Sequence, residues 1–211
     1  MGTRHIPGRA AERQRTTIRM QTLFSIAPDL PGGFLYIPDF ITEAEESHLI
    51  DLITRLPLKN MMFQGFEAKR KVIGFGYDYH FDSRMLTPGK PIPDEFFQVI
   101  RKVSARLQIP EERFVKLLLT EYDTGTVINW HRDAPPFEKI AGISLSSDCT
   151  FKFRPYDKTK QTRSAVKFFI AERRSLYLID GESRQDWEHS IAPVKSRRFS
   201  ITLRTLREKL L

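Results

Sequence analysis

The chain has 211 residues, 40% of them hydrophobic and 28% charged, which predicts one globular domain rather than two. Its net charge of +8 favours an anionic partner, most often nucleic acid, although a solvated basic surface would give the same count. The single cysteine, Cys149, excludes an intrachain disulfide and a cysteine-based zinc site, and no apolar run approaches the ~20 residues of a membrane span.

Residues 1–22 predict a disordered basic arm. Five arginines accompany a single acidic residue, Glu12, and the segment lacks hydrophobic periodicity. Such an arm could contact phosphates, and it could equally be a wrongly extended start of the reading frame. We expect one ordered domain over residues 23–211.

The first part of that domain predicts a short strand and two helices. Residues 33–37 form a strand-like run that ends before Pro38. Thr42 and Glu45 have the spacing of a capping box, which predicts a helix that ends before Pro57. An apolar stripe over residues 94–107 predicts the second helix. We expect both helices to pack against a sheet.

From Phe114 onward the sequence predicts eight short strands separated by turn residues. These strands span residues 114–122, 127–131, 140–146, 150–154, 165–170, 175–179, 186–191 and 198–204. The pattern favours a mainly β protein of the α+β class. Its core would be a double-sheet jelly roll, also called a double-stranded β-helix, flanked by the N-terminal helical layer.

Two histidines and one aspartate form a candidate metal site in the β region. His131 and Asp133 are two residues apart, so a strand would direct both side chains to one face, and His189 begins a later strand. Two imidazoles and one carboxylate form the facial triad typical of non-haem Fe(II), with coordination positions left open. The same residues would also suit zinc or nickel, and an H-x-D pair alone is a weak motif.

The last predicted strand is a candidate co-substrate site. Its polar residues alternate with apolar ones and therefore share one face. The polar residues are Arg198, Ser200, Thr202 and Arg204. An inward-facing arginine requires an anion, and the planar fork of arginine matches the distal carboxylate of 2-oxoglutarate. Asp133 could supply a second anion. The alternative is a surface strand with solvated arginines. The combination predicts an oxygenase that uses Fe(II), O2 and 2-oxoglutarate.

With these residues in place, residues 30–207 resemble the AlkB family of 2-oxoglutarate and Fe(II) dioxygenases. Residues 120–133 are similar to the family's N-x-Y-x-x-G…H-x-D segment, and residues 187–193 to the segment that holds the third ligand. Residues 198–204 are similar to its R-x-N/S-x-T-x-R strand. The resemblance implies that His131, Asp133 and His189 bind the iron.

The resemblance also implies a set of 2-oxoglutarate contacts. Tyr122 would bond to 2-oxoglutarate through its phenol, Arg198 would pair with the distal carboxylate, and Arg204 would lie nearer the iron. Thr120 stands where the family usually has asparagine, so one contact differs here. The full implied set is Thr120, Tyr122, Arg198, Ser200, Thr202 and Arg204. The implied activity is oxidative dealkylation of a nucleobase, such as DNA repair of N-methyl or etheno lesions, on a nucleotide that has left the base stack.

Residues 60–90 would form a nucleotide-recognition lid. A basic run would contact phosphates, and aromatic residues that alternate along one strand face would stack on a flipped base. The basic run is Lys69, Arg70 and Lys71, and the aromatic residues are Phe75, Tyr77, Tyr79 and Phe81, of which Phe75 and Phe81 suit the core equally well.

The substrate stays open between alkylated DNA and tRNA. Residues 74–79 and 181–184 also look like homologues that hydroxylate modified wobble uridine in tRNA. The sequence shows neither the RNA-recognition domain nor the methyltransferase domain that accompanies the animal tRNA enzymes. A non-catalytic nucleic-acid-binding module and a protein or small-molecule hydroxylase are further alternatives. The intact triad argues against the first and the positive charge against the second. We expect a cytoplasmic monomer.

Overall fold

The computed structural model describes residues 29–63 and 66–208, and in this part of the chain two antiparallel β-sheets pack face to face. The predicted class, a mainly β jelly roll with flanking helices, is confirmed. The basic arm predicted for residues 1–22 lies outside the described residues. No helix in the described ranges is long and apolar enough to cross a bilayer.

The described ranges contain twelve strands and three α-helices. The strands are β1 (Phe34–Ile37), β2 (Lys59–Phe63), β3 (Phe66–His80), β4 (Met85–Pro88), β5 (Phe114–Tyr122), β6 (Ile128–His131), β7 (Phe137–Leu145), β8 (Cys149–Pro155), β9 (Lys167–Ala171), β10 (Leu176–Ile179), β11 (Trp187–Ile191) and β12 (Arg198–Leu206). The helices are α1 (Glu43–Thr54), α2 (Phe97–Leu107) and α3 (Gly181–Gln185).

The strands form a larger sheet, called the major sheet, and a smaller one, called the minor sheet. The major sheet has the order β1-β10-β7-β12-β5-β3-β2, with β4 paired to β3, and the minor sheet has the order β6-β11-β8-β9. In the major sheet Arg198 of β12 pairs with Tyr122 of β5. Ser200 pairs with Thr120 on one side and with Ser144 of β7 on the other. The predicted co-substrate residues therefore lie on neighbouring strands.

Two hydrophobic clusters lie on opposite faces of the major sheet. The outer cluster packs α1 and α2 against the sheet and includes Ile53, Val103, Leu117 and Ile201. The inner cluster fills the space between the two sheets and includes Phe151, Phe153, Phe169 and Tyr177. Because strand residues alternate, Phe199, Ile201 and Leu203 of β12 belong to the outer cluster, and the polar residues between Arg198 and Arg204 turn toward the minor sheet.

The helical layer begins at the predicted capping box. The Oγ1 atom of Thr42 accepts from the backbone N–H of Glu45 at 3.2 Å, and the Glu45 carboxylate accepts from the Thr42 N–H at 2.7 Å. The predicted helix over residues 94–107 is confirmed, although its first turn, Asp94–Phe96, is a 3-10 helix. Lys102 of α2 donates to both carboxylate oxygens of Glu45 at 2.7 Å, which joins the two helices.

The eight strands predicted from Phe114 onward, β5 to β12, are right in number and order but differ at several boundaries. The β7 strand begins at Phe137 rather than residue 140, and β12 continues to Leu206. The β9 strand begins at Lys167 rather than residue 165, because Arg163–Ala165 form a 3-10 turn capped by Thr162. The α3 helix was not predicted, since five residues are too few for a hydrophobic period.

The aromatic stripe predicted for one face of the lid is wrong. Gly76 interrupts the alternation of β3 with a φ of +81°, and a Cβ atom there would overlap the carbonyl oxygen of Val115. Phe75, before this glycine, is buried in the outer cluster, whereas Tyr79, after it, packs against the inner cluster. Phe81 follows the strand and is 62% exposed.

Candidate metal and co-substrate site

The two histidines of the candidate triad are direct partners in the minor sheet. His131 ends β6 and pairs in register with His189 of β11, so their rings lie with centroids 4.3 Å apart. Asp133 follows β6 by two residues. One possible ligand atom from each of these three side chains lies within 4.8 Å of the others. Two imidazole nitrogens and one carboxylate oxygen at this separation fit a single metal ion with open coordination positions.

Neighbouring groups orient both imidazoles. The Nδ1 atom of His131 is 2.9 Å from the carbonyl oxygen of Asn129, so the tautomer that donates there leaves Nε2 free for a metal. His189 stacks on the ring of Phe151 at 5.3 Å, and its Nε2 lies 3.5 Å from Oδ2 of Asp133. Burial, with His131 alongside, lowers the pKa of His189 to about 3, which keeps its imidazole neutral as metal binding requires.

Arg204 holds the carboxylate of the triad. Its Nε and Nη2 donate to Oδ1 of Asp133 at 2.9 and 2.6 Å. Burial alone would raise the pKa of Asp133, but Arg204, His189 and His131 together hold it well below its ordinary range. The carboxylate is therefore an anion whose Oδ1 is occupied, which leaves Oδ2, on the side of His189, for a metal.

Sequence reasoning assigned no role to Arg184, which fixes the loop that carries Asp133. Arg184 is 5% exposed, and its Nη2 donates to the carbonyl oxygens of Asp133, Ala134 and Phe137 at 3.1, 3.0 and 2.9 Å. These bonds tie α3 to the segment between β6 and β7. No local pattern could have revealed them, because the acceptors are backbone atoms about 50 residues earlier in the chain.

Arg198 is a fully buried cation that lacks an anionic partner in the described part of the chain. Its Nε donates to Oγ of Ser144 at 3.1 Å, and its guanidinium lies 4.8 Å from the ring centroid of Tyr122. Its Nη1 and Nη2 atoms are buried and have no hydrogen-bond partner among the described residues. Two parallel N–H donors of this kind fit a carboxylate, so this observation supports a site for the distal group of 2-oxoglutarate.

Polar side chains continue from Arg198 along the inner face of the major sheet. The hydroxyl of Tyr122 lies 3.2 Å from Oγ of Ser200, and both residues are buried. Thr120 and Thr202 are also buried, next to Ser200 and on the following inward position of β12. Buried hydroxyl groups here would bond to co-substrate oxygens, and the donor set as a whole fits 2-oxoglutarate.

Tyr177 and Ser144 belong to this site but were not found from the sequence. Tyr177 pairs with Gly142, and a Cβ atom on that glycine would overlap the tyrosine ring. The ring therefore crosses over Gly142 toward the inner face, and burial raises the pKa of its phenol. A glycine within a strand, such as Gly142, can indicate that another group lies close to the backbone. Nothing near Ser144 in the sequence indicates its bond to Arg198.

The three basic residues of the predicted phosphate-binding run are divided between the two faces of β3, with Arg70 on one face and Lys69 and Lys71 on the other. Arg70 pairs with Tyr122 and thus turns to the inner face, where its Nη2 and Nε lie 2.8 and 3.2 Å from Sδ of Met61. Lys71 turns to the opposite face, 3.6 Å from Oε2 of Glu121, and Lys69 is exposed. Burial lowers the pKa of Arg70, a further sign that this cation faces the site rather than solvent.

The two tyrosines predicted to bind substrate lie on the second half of β3. Tyr77 pairs with Pro88, and Tyr79 pairs with Leu86 of β4; both tyrosines are half-buried. The ring of Tyr79 contacts that of Phe81 edge to face at 5.0 Å. The β3–β4 hairpin that carries them is held to the core by an ion pair that joins Lys116 and Asp78.

Comparison with known proteins agrees with this site. Residues 33–204 match the 2OG-Fe(II) oxygenase superfamily, and the chain belongs to that family. Mouse tRNA (carboxymethyluridine(34)-5-O)-methyltransferase ALKBH8 is 31% identical over 175 residues, which cover 79% of this chain and 25% of the mouse protein. The Alkylated DNA repair protein ALKBH8 homolog of Arabidopsis thaliana is 27% identical over 217 residues, covering 85% of this chain and 59% of that protein.

These relatives place the chain in the AlkB branch of the superfamily, as the resemblance predicted. The chain spans only a quarter of the mouse relative's length. The solved structure of OsALKBH1 has the same fold, with a TM-score of 0.63 over 83% of this chain and 97% of that chain, at 13% identity. The described domain is therefore that of a family of dioxygenases that use Fe(II), 2-oxoglutarate and O2, and its triad fits the iron.

Proposed function

We propose that His131, Asp133 and His189 hold the iron and that Arg198 binds the distal carboxylate of 2-oxoglutarate. The observation that carries this assignment is the buried Arg198 guanidinium, whose two terminal nitrogens have no partner in the described residues. The bound metal would supply O2 activation, coupled to conversion of 2-oxoglutarate to succinate.

The protein's own groups orient the reactants. Arg204 neutralises Asp133 and restricts it to one free oxygen, while Arg198 sets the position of the co-substrate from its far end. Tyr122 and Ser200 offer hydroxyls between these two arginines. The aromatic rings of the inner cluster pack around His189 and exclude water from that side of the site.

The proposed substrate is a nucleobase in RNA, and the favoured reaction is hydroxylation of the side chain of a modified wobble uridine in tRNA. The name of the mouse relative refers to carboxymethyluridine 34 of tRNA. Arg70 adds local support, because it faces the site with a thioether sulfur, a weak acceptor, as its hydrogen-bond partner in the described residues. Such a cation favours a substituent that carries oxygen atoms over a plain methyl group.

Oxidative dealkylation of DNA bases is the second candidate. The Arabidopsis relative is named an alkylated DNA repair protein. The methyl group of an N-methyl lesion offers no acceptor to Arg70, which would then have to contact another atom of the base or a phosphate. The two candidate substrates therefore give Arg70 different partners, so the kinetics of an Arg70 variant can distinguish them.

The test measures succinate formation and the mass of the base on two substrates. One is tRNA carrying carboxymethyluridine at the wobble position, and the other is single-stranded DNA carrying 1-methyladenine or 3-methylcytosine. We expect hydroxylated uridine, and we expect Arg70→Met to raise the KM for this tRNA without changing the KM for 2-oxoglutarate. Asp133→Ala, which removes a proposed metal ligand, is the inactive control.

Three results would count against the favoured substrate or the whole proposal. Repair of the DNA base with untouched tRNA would replace the first candidate by the second. Equal tRNA kinetics for Arg70→Met and the unaltered protein would remove Arg70 from substrate binding. No turnover on either nucleic acid, with 2-oxoglutarate still bound, would exclude both candidates.

A further inference from the structure

The outer face of the minor sheet is the side turned away from the side chains of His131 and His189. The side chains on this face take no part in the dioxygenase site. Inward residues of β8 and β9 are buried phenylalanines of the inner cluster, so the residues between them turn outward. The side chains that define the outer face are Trp130, Arg132, Lys152, Arg154, Phe168 and Ile170.

Large apolar groups on this face are open to solvent. Phe168 is 63% exposed and Ile170 is 44% exposed, and both lie on β9, an edge strand of the sheet. Adjacent exposed hydrophobic residues on a sheet edge are a liability that proteins usually avoid unless a partner covers them. These two side chains therefore indicate a ligand surface.

Cations alternate with the aromatic groups across the same face. Lys152 of β8 pairs with Phe168 on one side and with Ser190 of β11 on the other. The guanidinium of Arg154 lies 4.6 Å from the ring centroid of Trp130, where it also donates to Glu188.

A second cation and ring extend this pattern beside β6. The guanidinium of Arg132 lies 3.5 Å from the ring centroid of Tyr156. Tyr156 is 49% exposed, so the pair is accessible from solvent. The outer face thus combines exposed rings with three cations, and Glu188 partly balances that charge.

We propose that the outer face of the minor sheet binds single-stranded nucleic acid, namely the segment of the substrate that flanks the target nucleotide. Bases would stack on Phe168 and Trp130, and Lys152 and Arg132 would pair with phosphates. Four-stranded sheets that bind single strands use this combination of exposed rings and cations.

The position of β6 gives such a strand a path from the iron site to this face. The β6 strand is an edge of the minor sheet, and Trp130 directly precedes the metal-site residue His131. A nucleic acid can therefore pass around the edge from the inner to the outer side. The four strands then offer a platform about 14 Å across, three interstrand steps of about 4.8 Å. The assignment of the bound strand to the substrate rests on the proposed function.

The test compares the double variant Phe168→Ala/Lys152→Ala with a matched control, Leu35→Ala/Arg101→Ala. The control removes an exposed hydrophobic residue from β1 and an exposed cation from α2, both of which lie outside the outer face of the minor sheet. The probe is a long fluorescein-labelled single-stranded RNA followed by anisotropy across a salt series. Succinate formation in the absence of nucleic acid checks that each variant keeps an intact site.

The double variant should bind the long RNA about tenfold more weakly and lose about 0.7 from the slope of log affinity against log salt. Its basal succinate formation should equal that of the unaltered protein and of the control. Unchanged RNA affinity would overturn the proposal, and so would a loss of self-association on gel filtration without loss of RNA affinity. Weakened RNA binding in a protein that oxidises no nucleobase would keep this surface and remove the proposed function.

Discussion

At the scale of the residue, Arg198 gives the site its clearest requirement for a bound anion. It has no exposed surface, and one neutral hydroxyl, Ser144, is its hydrogen-bond partner for three donor nitrogens in the described residues. A buried cation with unsatisfied donors costs folding free energy, which a bound dicarboxylate would recover. The residue is therefore better explained by ligand binding than by stability.

Arg198→Lys should raise the KM for 2-oxoglutarate about ten- to a hundredfold, because a lysine keeps the charge but loses the paired N–H fork. The KM follows from succinate formation at varied 2-oxoglutarate. Arg197→Lys is the matched control, since Arg197 is the preceding residue and pairs with Glu121 at the surface. A lysine variant with the unaltered KM would mean that another group binds the distal carboxylate.

Arg184 acts through the loop that carries Asp133 and is therefore a positioning residue. Arg184→Met leaves three carbonyl oxygens without their donor, and we expect metal affinity to fall about ten- to a hundredfold, as for other groups that orient metal ligands. Titration calorimetry with Mn(II) measures this, and circular dichroism checks the fold. Partial recovery in Arg184→Lys would support positioning, whereas equal Mn(II) affinity in Arg184→Met would exclude it.

At the scale of the elements, the sequence predicts features that follow from the local spacing of residue types. It does not predict contacts between residues that are far apart in the chain. The alternation of β12 predicts which side chains turn inward, and the capping box at Thr42 predicts the start of α1. The face of the aromatic residues in β3 was mispredicted, because one positive φ at Gly76 reverses the alternation. The bonds of Arg184 and Ser144 join residues about 50 positions apart and leave no local pattern.

The junction of α1 and α2 predicts a pH-dependent contribution to stability. The bonds from Lys102, with those from Thr42, lower the pKa of Glu45 from its ordinary value of 4.5. Its contribution is therefore complete above about pH 4.5 and is lost as the pH falls through the lowered pKa. Glu45→Gln should cost about 0.5–1 kcal/mol at neutral pH, allowing for solvent screening, and progressively less in acid.

Urea unfolding at several pH values measures this difference. Glu43→Gln is the control, because Glu43 lies in the same first turn but its side chain is 80% exposed. A Glu45→Gln deficit that stays constant from neutral pH to well below pH 4.5 would show that the carboxylate charge is not the cause.

At the scale of the whole molecule, the site is divided between the two sheets. The histidines of the triad lie on the minor sheet, whereas Arg198, Arg204 and Tyr122 lie on the major sheet. Within the described residues, the Asp133–Arg204 pair already joins the β6 side to the major sheet. A bound 2-oxoglutarate that reached from Arg198 to the metal would add a second connection across the inner cluster.

This division predicts that metal and 2-oxoglutarate stabilise the fold cooperatively. The metal alone should raise the melting temperature modestly, because it binds the triad. 2-Oxoglutarate alone should raise it weakly, because without the metal only its distal carboxylate is bound, by Arg198. Together they should raise it by more than the sum of the separate shifts, since each ligand orders groups that the other requires.

The measurement uses Mn(II) under anaerobic conditions, which prevent turnover. Arg198→Met should keep the shift caused by Mn(II) and lose the excess. Strictly additive shifts in the unaltered protein would mean that the two ligands bind independently and that the sheets are not joined through the co-substrate.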